Sequence, residues 1–450
     1  MRVSPLSRFR TTGGPEPNCS GTPWIPRFFA VAALILTFAF APSQGLAADF
    51  MAGTARLEIT PPVGYSMGGY GARKGVSTGV HDSLFVTALV LKTDKEALAF
   101  ITCDLVTAYS QRVESEVQRR FGISNVLISA SHTHSGPNTR LTSESPAAMR
   151  KWWEQTEDKF IQAVGEANDN LFRARIGAGM GRTYIGHNRR KVLPDGSVKM
   201  FWRNAEKEPT HPVDPTVSVL RIDDMSGSTK AVLVNYSCHP TVLGPDNVQI
   251  SADYVGVMRG HVEKEFPGAT CLFIFGASGD INPYFDKQPI TEKPFEAVSW
   301  TGDTLGKAVV QTARRIETEH ANKKGIQYAS KVHEFRHRFD AGQRVKIVTG
   351  VGLLNGKIGF VTFSADPFVE HQIRLRDKSD AAMTFVFAHT STKGMPYVRY
   401  LPTIRAAVEG GYGAGYATLA EVGAGEMLVD RSVVQLLELM GLLQPVPDTR

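Results

Sequence analysis

Residues 126–137 read VLISASHTHSGP. Four apolar, mostly β-branched or aliphatic residues make a short buried strand, and the chain then turns polar at once. Two histidines separated by one residue, His132 and His134, stand just past that strand and before Gly136-Pro137. Both can face one cavity from there. Imidazole is a common zinc ligand, and a second nearby imidazole can act as a base or a donor. Taken alone, an HxH pair in a turn reads more readily as two surface histidines.

The same pattern recurs along the chain. LAFITC (98–103) runs into Asp104, AVLVNYSC (231–238) into His239, CLFIFGAS (271–278) into Asp280, IGFVTFSA (358–365) into Asp366, and MTFVFA (383–388) into His389. Helix-like stretches lie between these strands. Ser145-Pro146 precedes Trp153, Phe160, Val164 and Ala167 on one helical face. Ser251 is placed to cap a helix carrying Tyr254, Val255, Met258, Val262 and Phe266. Leu305, Val309, Thr312 and Ile316 form another stripe, and 434–443 reads as a C-terminal helix. Strands interleaved with helices predict an α/β class, with a layered, mixed β-sheet core flanked by helices. In such folds ligands bind outside the carboxyl ends of strands, so the polar residues after these strands are the candidates for a shared site.

Composition supports a globular chain. Of 450 residues, 42% are hydrophobic and 21% charged, which excludes wholesale disorder. The net charge of +6 is thinly spread, with no Lys/Arg stripe interleaved with aromatics, so a nucleic-acid partner is not expected. It does allow contact with an anionic membrane surface. No apolar run reaches about 20 residues, the length of an ordinary membrane-spanning helix.

Residues 28–41 read FFAVAALILTFAFA, preceded by Arg2, Arg8, Arg10 and Arg27 and followed by Gly45-Leu46-Ala47. A basic start, an apolar run and small residues at a cleavage position describe a secretory signal over 1–47, with one domain over 48–450 and a secreted or periplasmic location. Cys103, Cys238 and Cys271 lie in or beside apolar strands, and three thiols do not make a disulfide framework.

SHTHSGP, with the VLISA before it, resembles the neutral ceramidases, exported zinc amidohydrolases that cleave the N-acyl bond of ceramide. SMGGY (66–70) with TGVH (78–81), HNR (187–189), DPTV (214–217), CH (238–239) with ISAD (250–253), GDINP (279–283), and RYLPT (399–403) with Gly411-Tyr412 follow in that family's order. The resemblance covers roughly residues 52–420. It implies that His132 and His239 are zinc ligands, with Asp366 where the family has a glutamate and Tyr400 where it has a tyrosine. Glu370 is a rival for the carboxylate. It further implies that His134, Arg189 and Tyr412 contact the substrate or the developing oxyanion and that Gly69 lines the pocket through its backbone.

Three departures qualify this. Asn282 stands where some family schemes place a nucleophilic serine. The carboxylate is the shorter Asp366. A counterpart of the family's immunoglobulin-like C-terminal domain is not expected after the tyrosine pair. A zinc-activated water needs no serine, since the metal lowers the pKa of water to about 7, and the Asn282 amide can still donate a hydrogen bond. The expected activity is therefore hydrolysis of a small-molecule or lipid N-acyl amide.

The rival readings are a serine hydrolase built on GASG (276–279) and a non-catalytic exported lipid- or metal-binding protein with a degenerate site. Against the first, Asp280 occupies the second glycine of GxSxG and Pro283 interrupts the following helix. Glycine clusters such as GAGMG (177–181) lack the acidic partner of a dinucleotide fingerprint.

Overall fold

The central strands of the core alternate their side chains between two apolar layers, and that period of two sets the architecture. In Phe85–Lys92, Val86, Ala88 and Val90 point one way, while Leu89 and Leu91 point the other. The structure, a computed structural model, describes residues 50–322 and 324–444. The expected signal segment, 1–47, lies outside them.

A ten-stranded mixed sheet runs in the order Thr270–Phe275, Thr229–Tyr236, Thr216–Asp224, Phe172–Arg182, Met51–Glu58, Phe85–Lys92, Ala97–Cys103, Asn125–Ala130 and Thr390–Ser391, with Glu319–His320 added beside Phe172–Arg182. One face packs on two helix pairs. Gln111–Phe121 and Ala147–Asp169 cover one half through Val113, Val117, Phe160 and Val164. Tyr254–Glu265 and Pro294–Arg315 cover the other through Val255, Met258, Leu305 and Val309. The opposite face packs on a second sheet of four strands, Ile326–Arg336, Arg344–Leu354, Ile358–Phe363 and Met383–Phe387. Between the sheets lie Leu89, Phe100, Leu127, Leu220 and Leu233 from the first and Ile358, Phe360, Phe385 and Phe387 from the second. The outer face of the second sheet is covered by Val369–Lys378 and Ala424–Met440. The layers are therefore helix, sheet, sheet, helix, which makes the expected layered α/β class specific.

Three parallel strand pairs aim their carboxyl ends at one region: Ala97–Cys103 with Asn125–Ala130, Thr229–Tyr236 with Thr270–Phe275, and Ile358–Phe363 with Met383–Phe387. Main-chain hydrogen bonds lace these ends together. Ala388 N donates to Phe275 O at 2.8 Å, Gly276 N to Tyr236 O at 2.9 Å, and Ala130 N to His389 O at 3.3 Å.

Two of the polar strand-end residues serve the scaffold. Both oxygens of the fully buried Asp104 accept from Arg259, at 2.6 Å each, and one also accepts from Phe85 N. The Asp280 carboxylate accepts from Asn188 Nδ2 at 2.7 Å and from Val369 N at 2.8 Å. Burial pushes its carboxyl up to about 6.

Local boundaries differ from the sequence reading in four places. Pro146, not Ser145, precedes the Ala147–Asp169 helix, and Trp152 rather than Trp153 is the more deeply buried of the pair. Asp253 caps Tyr254–Glu265, while the Ser251 hydroxyl accepts from Asp253 N instead. Ile316 ends the third stripe as the residue after its helix. The last helix begins at Ala424, because Leu428, Val429 and Val433 bury its first turns against the second sheet. All three described cysteines are free and buried. No described helix is long and apolar enough to cross a membrane.

Breaking a buried ion pair leaves one charge uncompensated, at a cost of about 3–5 kcal/mol. Arg259→Met should therefore lose about that much stability to urea unfolding, whereas the double variant Asp104→Leu/Arg259→Met should recover part of it. Equal losses in the two variants would show that the pair is not what anchors this helix to the sheet.

Candidate metal centre

The chain enters the site at His132 through a backbone turn with φ +67° and at His389 through one with φ +48°. The left-handed region is uncommon for residues other than glycine and marks a constraint imposed by the surroundings. Both turns are held by the main chain: His132 N donates to Leu105 O at 3.0 Å and His389 N to Ala365 O at 3.1 Å. His239 follows the Thr229–Tyr236 strand, its N donating to Ile281 O at 3.1 Å. Asp366 lies in the short strand Ala365–Pro367, which pairs in parallel with Val398–Leu401 so that Asp366 and Tyr400 are register partners.

These turns bring three histidines and one carboxylate into a dry cluster. His132 is 5% exposed, His239 1%, His389 3% and Asp366 0%. His239 Nε2 lies 3.4 Å from Asp366 Oδ2, and His389 Nε2 lies 3.7 Å from the same oxygen. His134 Nε2 is 3.3 Å from His132 Nε2. The far side of two rings is anchored: His132 Nδ1 donates to Val106 O at 2.6 Å and His239 Nδ1 to Ile281 O at 3.0 Å. That fixes the tautomer and turns each Nε2 inward, the usual arrangement of a histidine that ligates a metal.

The inward atoms lack protein partners. His239 Nε2, both nitrogens of His389 and both oxygens of Asp366 are buried without a hydrogen bond. An unpaired buried carboxylate costs several kcal/mol unless a counter-charge offsets it. Burial alone would raise the Asp366 carboxyl, but His239 and His389 beside it outweigh that and hold it well below the usual carboxylate range. Burial, reinforced by neighbouring imidazoles, depresses His132, His134 and His389. An ionised carboxylate among neutral imidazoles is the protonation state that binds a divalent cation. A tetrahedral ion with bonds of about 2.0–2.1 Å has edges of about 3.3–3.4 Å between its ligands. The separation of 3.4 Å matches such an edge, and that of 3.7 Å is longer by about 0.3 Å. Two overlapping groups, His132 with His134 and His239, and His132 with Asp366 and His389, each bring their ligand atoms within 4.8 Å of one another.

A cavity of about 430 Å³ opens beside the cluster, lined by Met67, Gly69, Tyr70, His132, His134, Arg140, Tyr397, Tyr400 and Tyr412 among others. A second cavity of about 560 Å³ shares Arg140, Tyr397 and Arg399 with it and continues past Tyr109, Leu141 and Trp153. Gly69 has φ +94°, and a Cβ there would stand 2.4 Å from His134 Cγ, so only glycine lets the backbone lie against that ring. Tyr70 packs edge-on to His134, with ring centroids 4.8 Å apart, and its hydroxyl donates to Leu243 O.

Arg189 sits one step further back. It is 3% exposed and donates to Asn282 Oδ1 at 3.1 Å and Gly279 O at 2.6 Å. Its guanidinium carbon lies 5.4 Å from the Tyr400 ring centre and 5.1 Å from that of Tyr412. Asn282 is thus joined to Arg189. Ser278 donates to Gly276 O at 3.0 Å. Glu370 is exposed beside Thr403 and belongs to neither group of ligand atoms, so the carboxylate that faces the histidines is Asp366. His389, Tyr397 and Arg140 complete the site. Of these, only His389 carries a sequence signal, as the residue after a buried strand.

This fold is also that of solved ceramidases. A structure described as ceramidase complexed with C2 superposes with a TM-score of 0.71 at 15% identity, covering 90% of this chain and 78% of the other. Neutral ceramidase from Pseudomonas aeruginosa gives 0.69 at 16%, covering 89% and 76%. The family model for neutral/alkaline non-lysosomal ceramidase, N-terminal, matches residues 50–288, and the chain belongs to that family. Neutral ceramidase of Drosophila pseudoobscura pseudoobscura is 28% identical over 277 residues, 56% of this chain and 38% of the relative. That of Mycobacterium tuberculosis is 26% identical over 259 residues, 50% and 39%. The matches thus span less than two-fifths of these relatives' length.

Gly69→Ala should push His134 out of place. A displacement near 1 Å costs about 100-fold in rate, so kcat/KM should fall by about that factor while metal content stays at the wild-type level. An unchanged rate would remove His134 from the chemistry.

Proposed function

We propose that this chain is an exported, zinc-dependent hydrolase of an N-acyl amide bond, with ceramide one candidate substrate. The observation that carries the reading is the buried His132–His239–Asp366 cluster, whose inward atoms meet no protein group beyond one another, His134 and His389. Family membership and the shared fold support the hydrolase class. The apolar run at 28–41 supports export.

His132, His239 and Asp366 would hold the ion, with Tyr400 as the fourth ligand implied by family resemblance. A bound zinc supplies Lewis acidity and lowers the pKa of water to about 7. His134, neutral and at the cavity wall, takes a proton from the attacking water and returns it to the leaving nitrogen. Tyr412 lines the cavity, which supports a role as hydrogen-bond donor to the developing oxyanion. Loss of one such donor typically costs about 3–4 kcal/mol of transition-state stabilisation. Arg189 holds the two tyrosines from behind and acts as a positioning residue. Asn282 in turn orients Arg189, a task that needs no nucleophile.

The two joined cavities offer mixed walls, with aromatic and aliphatic side chains beside Arg140 and Arg399. That suits an acyl chain attached to a polar head. Each buried CH₂ contributes about 0.8 kcal/mol.

Chelation should abolish amide hydrolysis and zinc should restore it. Ser278→Ala should keep most activity, and a dead but folded, zinc-loaded Ser278 variant would replace the metal reading with a serine one. With N-acyl amides of increasing chain length, kcat/KM should rise. Flat or falling values would exclude a ceramide-like substrate. A protein that binds zinc and lipid yet releases no fatty acid would be a binder rather than a hydrolase.

A further inference from the structure

We propose that His389 is itself a metal ligand, so that the ion is held by His132, His239, Asp366 and His389, and Tyr400 stays outside the coordination sphere. This rests on the metal-dependent reading above and changes its ligand set.

Four observations converge on His389. Its Nε2 is 3.7 Å from Asp366 Oδ2, close to a tetrahedral edge, and it forms with His132 and Asp366 a compact group of ligand atoms. Neither ring nitrogen has a hydrogen-bond partner although the residue is 3% exposed. A buried imidazole without any partner is costly, and a metal bond removes that cost for the nitrogen it takes.

The backbone is committed to the position as well. His389 lies where the chain crosses from Met383–Phe387 in the second sheet to Thr390–Ser391 at the edge of the first. Its N and O are tied to Ala365 and Ala130, and the turn requires φ +48°. Strain of this kind at a histidine, held from both sides, points to a functional constraint. The ring also stacks on Tyr397, with centroids 4.2 Å apart, and its centroid lies 3.8 Å from that of His132.

Tyr400 is placed for a different task. Arg189 lies over its ring and interacts with its hydroxyl. Three neutral imidazoles and one carboxylate leave a zinc ion with one net positive charge, where a tyrosinate ligand would cancel it. The Tyr400 hydroxyl can then donate a hydrogen bond into the cavity it lines.

The test uses the purified full chain loaded with zinc or cobalt. His389→Asn keeps a side chain that tolerates the left-handed turn. It should weaken zinc binding by about 100-fold or more in chelator competition, while Tyr400→Phe should change it by less than about threefold. His389→Cys, loaded with cobalt, should gain a thiolate-to-metal charge-transfer absorption absent from the wild type. Thermal melting of the metal-free forms reports folding separately. Zinc affinity unchanged in a folded His389→Asn, or a folded, cobalt-loaded His389→Cys without that absorption, would overturn the assignment. A wild-type chain that takes up no metal would instead overturn the hydrolase reading on which it rests.

Discussion

The Asp366 carboxylate is the group on which the site depends. It is fully buried, it is held ionised, and neither of its oxygens accepts a hydrogen bond. Nothing in an apolar core tolerates that without a cation, and burial depresses His132 and His389 beside it, which makes them poor cations. The surrounding structure is organised to make this costly arrangement stable. Strand ends are laced by main-chain hydrogen bonds, two histidines are fixed through their outer nitrogens, and the other strand-end carboxylates are neutralised or fully bonded elsewhere.

The helix–sheet–sheet–helix layering explains how distant segments meet there. Each sheet contributes parallel strand pairs, and packing the sheets through Phe100, Leu127, Phe360 and Phe387 brings their carboxyl ends together. His132 and His239 come from the first sheet, Asp366 from the segment just after a strand of the second. His389 stands on the chain that passes between them. Removal of the apolar contact between the sheets would therefore disturb the site without touching a ligand.

Much of this was legible in the sequence, because a buried strand running into a polar residue is a local signal. His132, His239, Asp366 and His389 all stand after such strands, and the family resemblance singles out the first three as the proposed ligands. It could not do so for His389, whose surroundings are set by Ala130 and Ala365 far away in the chain. The same rule overreached at Asp104 and Asp280, since Arg259, Asn188 and Val369 N become their partners only when the helices dock. Arg189 and Asn282 illustrate a second limit: resemblance aligned them with a reaction centre, whereas their distances join them to each other behind the tyrosines. Helix starts misread at Ser145 and Ser251 reflect neighbouring residues, Pro146 and Asp253, that occupy the cap instead.

In the proposed site a metal ion neutralises Asp366. Diffraction from crystals of the zinc-loaded protein, collected on both sides of the zinc absorption edge, tests it most directly. The account predicts one anomalous peak between His239 Nε2 and Asp366 Oδ2, with ligand bonds of about 2.0–2.2 Å. A zinc-loaded crystal with no peak there, and with His239 donating a direct hydrogen bond to Asp366 in its place, would contradict it.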